Sequence, residues 1–199
     1  MTEPPPLAFE PAPVARPTPP RPGPGGQAAR LAQMLRVDHA GELAAVHIYR
    51  GQRAVLGAAP GRETISAALE RMEGHEAVHL ARFDALLNET RTRPTLLAPL
   101  WRAAAFALGA GTALLGERMA HACTDAVESV IEVHYAEQIA ELGSQDPALA
   151  AELSGFRDDE LAHKQEAIDS GSRDAPGGAL VSAVIRAGCR AAIKITEQI

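Results

Sequence analysis

The chain has 199 residues, 46% of them hydrophobic, which is enough for one domain with a sizeable core and excludes a disordered chain. Its net charge is −6 and it carries no dense basic stripe, so nucleic acid is not expected as a partner. Cys123 and Cys189 lie far apart in no metal-binding spacing, and the opening MTEPPPLAFE has neither a secretory pattern nor an Arg-rich transit pattern.

Ten of the fifteen prolines precede Gly25, so residues 1–26 read as a Pro-rich disordered tail. From Gln27 helical periodicity takes over. Aromatics are only 4%, and Ala and Leu dominate, which favours helix over sheet. Prolines and glycines at Gly57–Gly61, Pro94, Pro99, Gly143–Pro147 and Gly171–Gly178 punctuate the rest. The expectation is an all-α domain over 27–199 with helices near 27–56, 62–90, 95–108, 112–143, 146–170 and 177–198.

In the first helix an apolar seam runs through Leu31, Leu35, Ala45 and Tyr49, interrupted by Asp38 and Glu42. The second helix repeats the pattern: Ile65, Leu69, Met72, Phe83 and Leu86 are interrupted by Glu76 and His79. Glu76 and His79 are three residues apart, so both reach one point in the core. The stretch Gly74-His75-Glu76-Ala77-Val78-His79 also spells H-E-x-x-H, the zinc peptidase pattern in which His75 and His79 hold the metal. His75 lies beside the seam rather than on it.

Residues 95–116, TLLAPLWRAAAFALGAGTALLG, carry one charge, Arg102. Their length approaches a bilayer span, but Pro99, Arg102 and three glycines weaken that reading. A helix in the membrane interface, with Trp101 and Arg102 at headgroup level, is favoured over a buried core helix. The fourth helix places Glu128 mid-seam, followed by His134 and Tyr135. The fifth interrupts Leu149, Leu153 and Phe156 with Glu160 and His163. Here Asp159 precedes the glutamate, so no leading histidine is needed. The sixth helix is amphipathic and basic through Arg186, Arg190 and Lys194.

The intervals match: 34 residues separate Glu42 from Glu76 (76 − 42) and 32 separate Glu128 from Glu160 (160 − 128). Two helical hairpins of the form E…ExxH therefore repeat within the chain. A lone Glu is usually solvated and a single ExxH is common by chance, whereas two phased copies specify a dinuclear carboxylate site. Glu42, Glu76, His79, Glu128, Glu160 and His163 are its candidate ligands. Carboxylate oxygen with imidazole suits Fe(II) or Mn(II) better than zinc. His134 and Tyr135 are candidates to line the substrate side or orient ligands, and Asp38, His39, His47, His75 and Glu132 fit outer positions.

The segments RVDHAGELAAVHIYRGQ, EAVHLARF, RPTLLAPLW, FALGAGTALLG, ACTDAVESVIEVHY, FRDDELAH and AGCRAAIKITEQI together resemble the demethoxyubiquinone hydroxylase family of ubiquinone biosynthesis from about Leu31 to Ile199. The resemblance implies a ferritin-like four-helix bundle with a di-iron core and additional membrane-associating helices. It implies hydroxylation of the demethoxyubiquinol ring with O2 as co-substrate and an external reductant such as NADH. It carries the six ligands over to the residues above, with Glu76 and Glu128 as bridging carboxylates. The expected partners are a polyprenylated quinol and membrane lipid, with a second copy of the chain or other ubiquinone-biosynthesis proteins as candidates. The expected place is the cytoplasmic side of the cell membrane, held peripherally. Iron storage, a zinc peptidase and a membrane scaffold with a vestigial site are the rival readings.

Overall fold

The computed structural model describes residues 24–57, 60–143 and 145–199. Six α-helices follow one another: α1 Pro24–Leu56, α2 Glu63–Glu89, α3 Ala98–Leu114, α4 Glu117–Leu142, α5 Pro147–Asp169 and α6 Gly178–Thr196, with a 3-10 turn at Ser172–Asp174 before the last. No strand occurs among the described residues. The expected Pro-rich tail falls on residues outside those described, except that Pro24–Gly26 already belong to α1.

Local chemistry sets the helix starts and stops. Asp146 caps α5 by accepting from the Leu149 amide at 3.0 Å, and Pro147 sits at the first helical position, where its missing N–H costs nothing. The break between α3 and α4 lies at Leu115–Gly116, not at residues 109–111 as the glycines there suggested. Gly116 has φ 111°, a conformation that side-chain-bearing residues rarely adopt. Gly109 stays helical and serves another purpose. A Cβ on it would collide with the Ile48 carbonyl of α1, and one on Gly51 would collide with the Phe106 carbonyl of α3. The two glycines let the α1 and α3 backbones touch.

Helices α1, α2, α4 and α5 form an all-α, ferritin-like four-helix bundle, with α1 beside α2 and α4 beside α5, while α3 lies on α1 and α6 on α4. Residue pairs give the directions. Between α1 and α4, Arg30 meets Glu141, Asp38 meets His134 and Tyr49 meets Glu128, so these helices run antiparallel. Between α2 and α5, Arg71 meets Glu166 and Arg82 meets Glu152, again antiparallel. Of the four apolar clusters among the described residues, two occupy the ends of the bundle. Leu35, Phe83, Leu86 and Leu153 fill one end, and Leu56, Ile65, Leu69 and Met72 fill the other. Along α2, Glu76 and His79 fall between them.

No helix among the described residues is long and apolar enough to cross a membrane, which removes the spanning reading of residues 95–116. One side of α3 is buried through Ala105, Gly109, Thr112 and Ala113, while Leu100, Phe106 and Leu114 are exposed. Trp101, expected at headgroup level, ties α3 to α6 by donating its indole N–H to Thr196 Oγ1 at 3.2 Å.

Gly109→Ala is expected to cost about 1–3 kcal/mol, because a methyl there pushes two backbones apart. Gly74→Ala, exposed in the middle of α2 with open space around it, is expected to stabilise by roughly 0.5–1 kcal/mol. Thermal melts of the two variants against the parent check both signs.

Candidate metal centre

The centre of the bundle is set by four helices that each turn one polar position inward. Glu42 of α1, Glu76 and His79 of α2, Glu128 of α4, and Glu160 and His163 of α5 are all buried, none more than 4% exposed. The residues anticipated from seam phase therefore come together. They form two overlapping groups, Glu42, Glu76, His79 and Glu160, and Glu76, Glu128, Glu160 and His163, with the ligand atoms of each group within 4.8 Å of one another. Both groups share Glu76 and Glu160. Glu128, expected to bridge, belongs to one group only. Glu128 Oε1 accepts from the Tyr49 hydroxyl at 2.7 Å, which draws it to one side, while Glu76 and Glu160 face each other from α2 and α5.

The donor set fits a pair of divalent cations. Glu42 Oε2, both oxygens of Glu76 and of Glu160, Glu128 Oε2, His79 Nδ1 and His163 Nδ1 are buried without a hydrogen-bond partner. His163 Nδ1 lies 3.0 Å from Glu76 Oε1, and His79 Nδ1 lies 3.5 Å from both Glu42 Oε2 and Glu160 Oε1. Buried groups without partners are costly, and these converge on two points where cations would satisfy them. Four carboxylates balance two divalent ions in charge.

Without a bound cation, protons do this work. Burial, and then the neighbouring Glu160 charge, pushes Glu76 and Glu128 well above the usual carboxyl range. Burial also raises Glu42. Glu160 is pushed up by burial but held at about 2 by the imidazoles of His163 and His79 and by Glu128 beside it. Burial pulls His79 down, yet the Glu160 and Glu42 carboxylates beside its Nδ1 lift it to about 10.

Several surrounding groups have defined tasks. Tyr135, anticipated as an orienting residue, donates its hydroxyl to Glu42 Oε1. Tyr49, which sequence reasoning placed in the seam and gave no role, does the same for Glu128. The signal for it was present: each tyrosine stands seven residues after a cluster glutamate, Tyr49 after Glu42 and Tyr135 after Glu128. His134 bonds Asp38 Oδ1 at 3.1 Å, and Gln138 donates to the same oxygen at 2.8 Å. His75 lies outside both groups of candidate ligands, so the zinc pairing of His75 with His79 is not formed.

An apolar cavity of about 350 Å³ adjoins the cluster between α1, α3, α4 and α6. Leu108, Val127, Ile131, Ile185 and Ile193 line it, with Asp38, Glu42, His134 and Tyr135 as its polar wall. Glu42 thus belongs to both cavity and cluster.

Residues 29–196 match the family described as ubiquinone biosynthesis protein COQ7. The chain is 47% identical over 178 residues to the 3-demethoxyubiquinol 3-hydroxylase of Rhodospirillum rubrum, covering 89% of this chain and 82% of that one. It is 45% identical over 175 residues to the mitochondrial NADPH-dependent 3-demethoxyubiquinone 3-hydroxylase of Homo sapiens, covering 86% and 79%. It is 40% identical over 188 residues to the mitochondrial 5-demethoxyubiquinone hydroxylase of Saccharomyces cerevisiae, covering 87% and 80%. The chain belongs to the COQ7 family.

A group with a raised folded pKa stabilises the fold below its unfolded pKa, and that contribution is lost as pH rises through the folded value. His79 is such a group between its ordinary 6.5 and about 10, and Glu42, Glu76 and Glu128 act in the same direction. Glu160 contributes a constant amount above its ordinary 4.5. Chelator-treated protein is therefore expected to melt lower at pH 8.5 than at pH 6.5, by on the order of 5 °C. Adding Mn(II) should shrink the difference and release protons, which scanning calorimetry and titration in two buffers of different ionisation heat would record.

Proposed function

We propose, from its membership of the COQ7 family, that this chain is a 3-demethoxyubiquinol 3-hydroxylase of ubiquinone biosynthesis, an O2-dependent di-iron monooxygenase. The observation that carries the reading is the shared wall. Glu42 and Tyr135 border both the carboxylate–imidazole cluster and an apolar cavity that suits a quinol ring. Glu42, Glu76, His79, Glu128, Glu160 and His163 would hold the two irons. Iron bound there supplies the redox chemistry that activates O2. One oxygen atom is added to the ring and the other leaves as water, with two electrons and two protons from an external reductant.

The protein's own residues prepare this reaction. The hydroxyls of Tyr49 and Tyr135 each hold one oxygen of Glu128 and Glu42, leaving the other oxygen of each turned to the cluster. Apolar lining excludes water from the ring and from the metals. Asp38, itself held by the Gln138 amide, fixes the His134 imidazole at the cavity wall, where it is placed to bond a quinol hydroxyl. The human relative's name includes NADPH, and a reduced nicotinamide nucleotide is proposed as the electron source, broadening the NADH expectation.

The polyprenyl tail of the substrate explains the outer helices. Leu100, Phe106, Leu180 and Val184 are exposed on α3 and α6, the two helices that wall the cavity, and Arg102, Arg186, Arg190 and Lys194 lie on the same helices. A peripheral seat on membrane lipid would deliver the quinol from the bilayer to the cavity. Iron storage has no use for this cavity or for an apolar exterior.

Anaerobic loading with Fe(II), then demethoxyubiquinol, reductant and O2, is expected to yield a quinone heavier by one oxygen atom, read by mass spectrometry. No added oxygen would refute the assignment. Glu160→Ala should lower product formation at least about a hundred-fold. Ala44→Phe, on the cavity wall, should raise the quinol KM about ten-fold while iron content stays at the parental value, separating cavity from cluster.

A further inference from the structure

Each candidate ligand imidazole turns Nδ1 to the cluster, which leaves Nε2 pointing away. The two outward nitrogens meet different partners. His79 Nε2 lies 3.1 Å from Asp159 Oδ2 on α5. His163 Nε2 lies 3.1 Å from His75 Nδ1 on α2. The partners are crossed and equivalent by position. His75 immediately precedes Glu76 and holds the histidine of α5; Asp159 immediately precedes Glu160 and holds the histidine of α2. The His75 ring also stacks on His163, with centroids 5.3 Å apart and planes 22° apart. His79 packs instead against Phe156, centroids 4.3 Å apart.

An imidazole that binds a cation through Nδ1 carries its proton on Nε2 and must donate it outward. Asp159 accepts that proton's hydrogen bond with a carboxylate. His75 accepts through Nδ1, so its own proton stands on Nε2 and the acceptor is neutral. A carboxylate acceptor makes an imidazole a stronger donor to metal than a neutral acceptor does. The two positions are otherwise matched, each with three carboxylates and one imidazole.

On the reading that the cluster holds two divalent ions, we propose that His75 and Asp159 are crossed positioning residues. They fix the two ligand imidazoles from outside the cluster and make the two metal positions unequal, the His79 position being the tighter. The residue ahead of each Glu-x-x-His thereby has a task, and it is performed on the opposite helix.

The test is anaerobic titration of the chelator-treated protein with Co(II), followed by calorimetry and by the visible ligand-field spectrum. Circular dichroism on each variant establishes that its helices are intact. The parent is expected to take up two equivalents in two resolved steps. Asp159→Ala should weaken the tighter step about 10–100-fold, and Asp159→Asn, which keeps an acceptor oxygen without its charge, should move the two steps together. His75→Ala should weaken the other step by about ten-fold, and His75→Gln, whose amide oxygen can accept, should restore part of it. Two equivalents with the same affinities and spectrum in parent and all variants would overturn the anchor assignment alone, as would both alanine variants weakening the same step. A parent that binds no cobalt would overturn the two-ion reading, and the anchor assignment with it.

Discussion

Four carboxylates packed into the middle of a helical bundle are the constraint on which the rest of this structure depends. Isolated buried charge is prohibitively costly, so the cluster must be neutralised by cations or by protons. Protons achieve it only by forcing Glu76 and Glu128 far from their ordinary range. The two apolar core clusters on either side must therefore hold the helices together against this repulsion. The tyrosines add local relief, each satisfying one oxygen that would otherwise face its neighbour.

A two-fold internal relationship organises these contacts. Helices α1 and α2 correspond to α4 and α5, and the correspondence reaches beyond the ligands. Tyr49 on α1 serves Glu128 on α4, and Tyr135 on α4 serves Glu42 on α1. Antiparallel pairing of α1 with α4 places position +7 of one helix beside the glutamate of the other. The same logic applied to α2 and α5 brings the residue before each glutamate to the opposite histidine. Departures from the relationship carry the functional polarity. Asp38, His134 and Gln138 gather on the side where α3 and α6 enclose a cavity, so the cluster has one face open to that cavity.

Seam phase made the buried cluster legible, because a polar residue that interrupts an apolar stripe must point inward wherever the helix packs. It could separate His79 from His75 by one position. Bridging could not be read this way. That Glu160 rather than Glu128 is shared by both groups goes with the pull of Tyr49 on Glu128, a contact 79 residues away in sequence. The Gly109 case failed for a related reason. Glycine within an apolar run signals a break when only the chain itself is considered, whereas here the absent side chain admits the Ile48 carbonyl of another helix.

That close approach also explains why residues 95–116 look so much like a bilayer span. A surface helix of an ordinary bundle needs apolar residues on one face only. Helix α3 needs them almost all round. Gly109 and Ala113 press on α1, Ala105 and Leu108 face the cavity, and Leu100, Phe106 and Leu114 remain exposed. Composition alone cannot distinguish a helix surrounded by lipid from one shared between a core, a cavity and an apolar exterior. For an enzyme whose substrate lives in a bilayer the three surroundings belong together. On the proposed function, the face offered to lipid and the wall offered to the quinol ring would be two sides of one helix. The glycine contact with α1 sets how far that helix stands from Glu42, and so the width of the cavity beside the carboxylate–imidazole cluster.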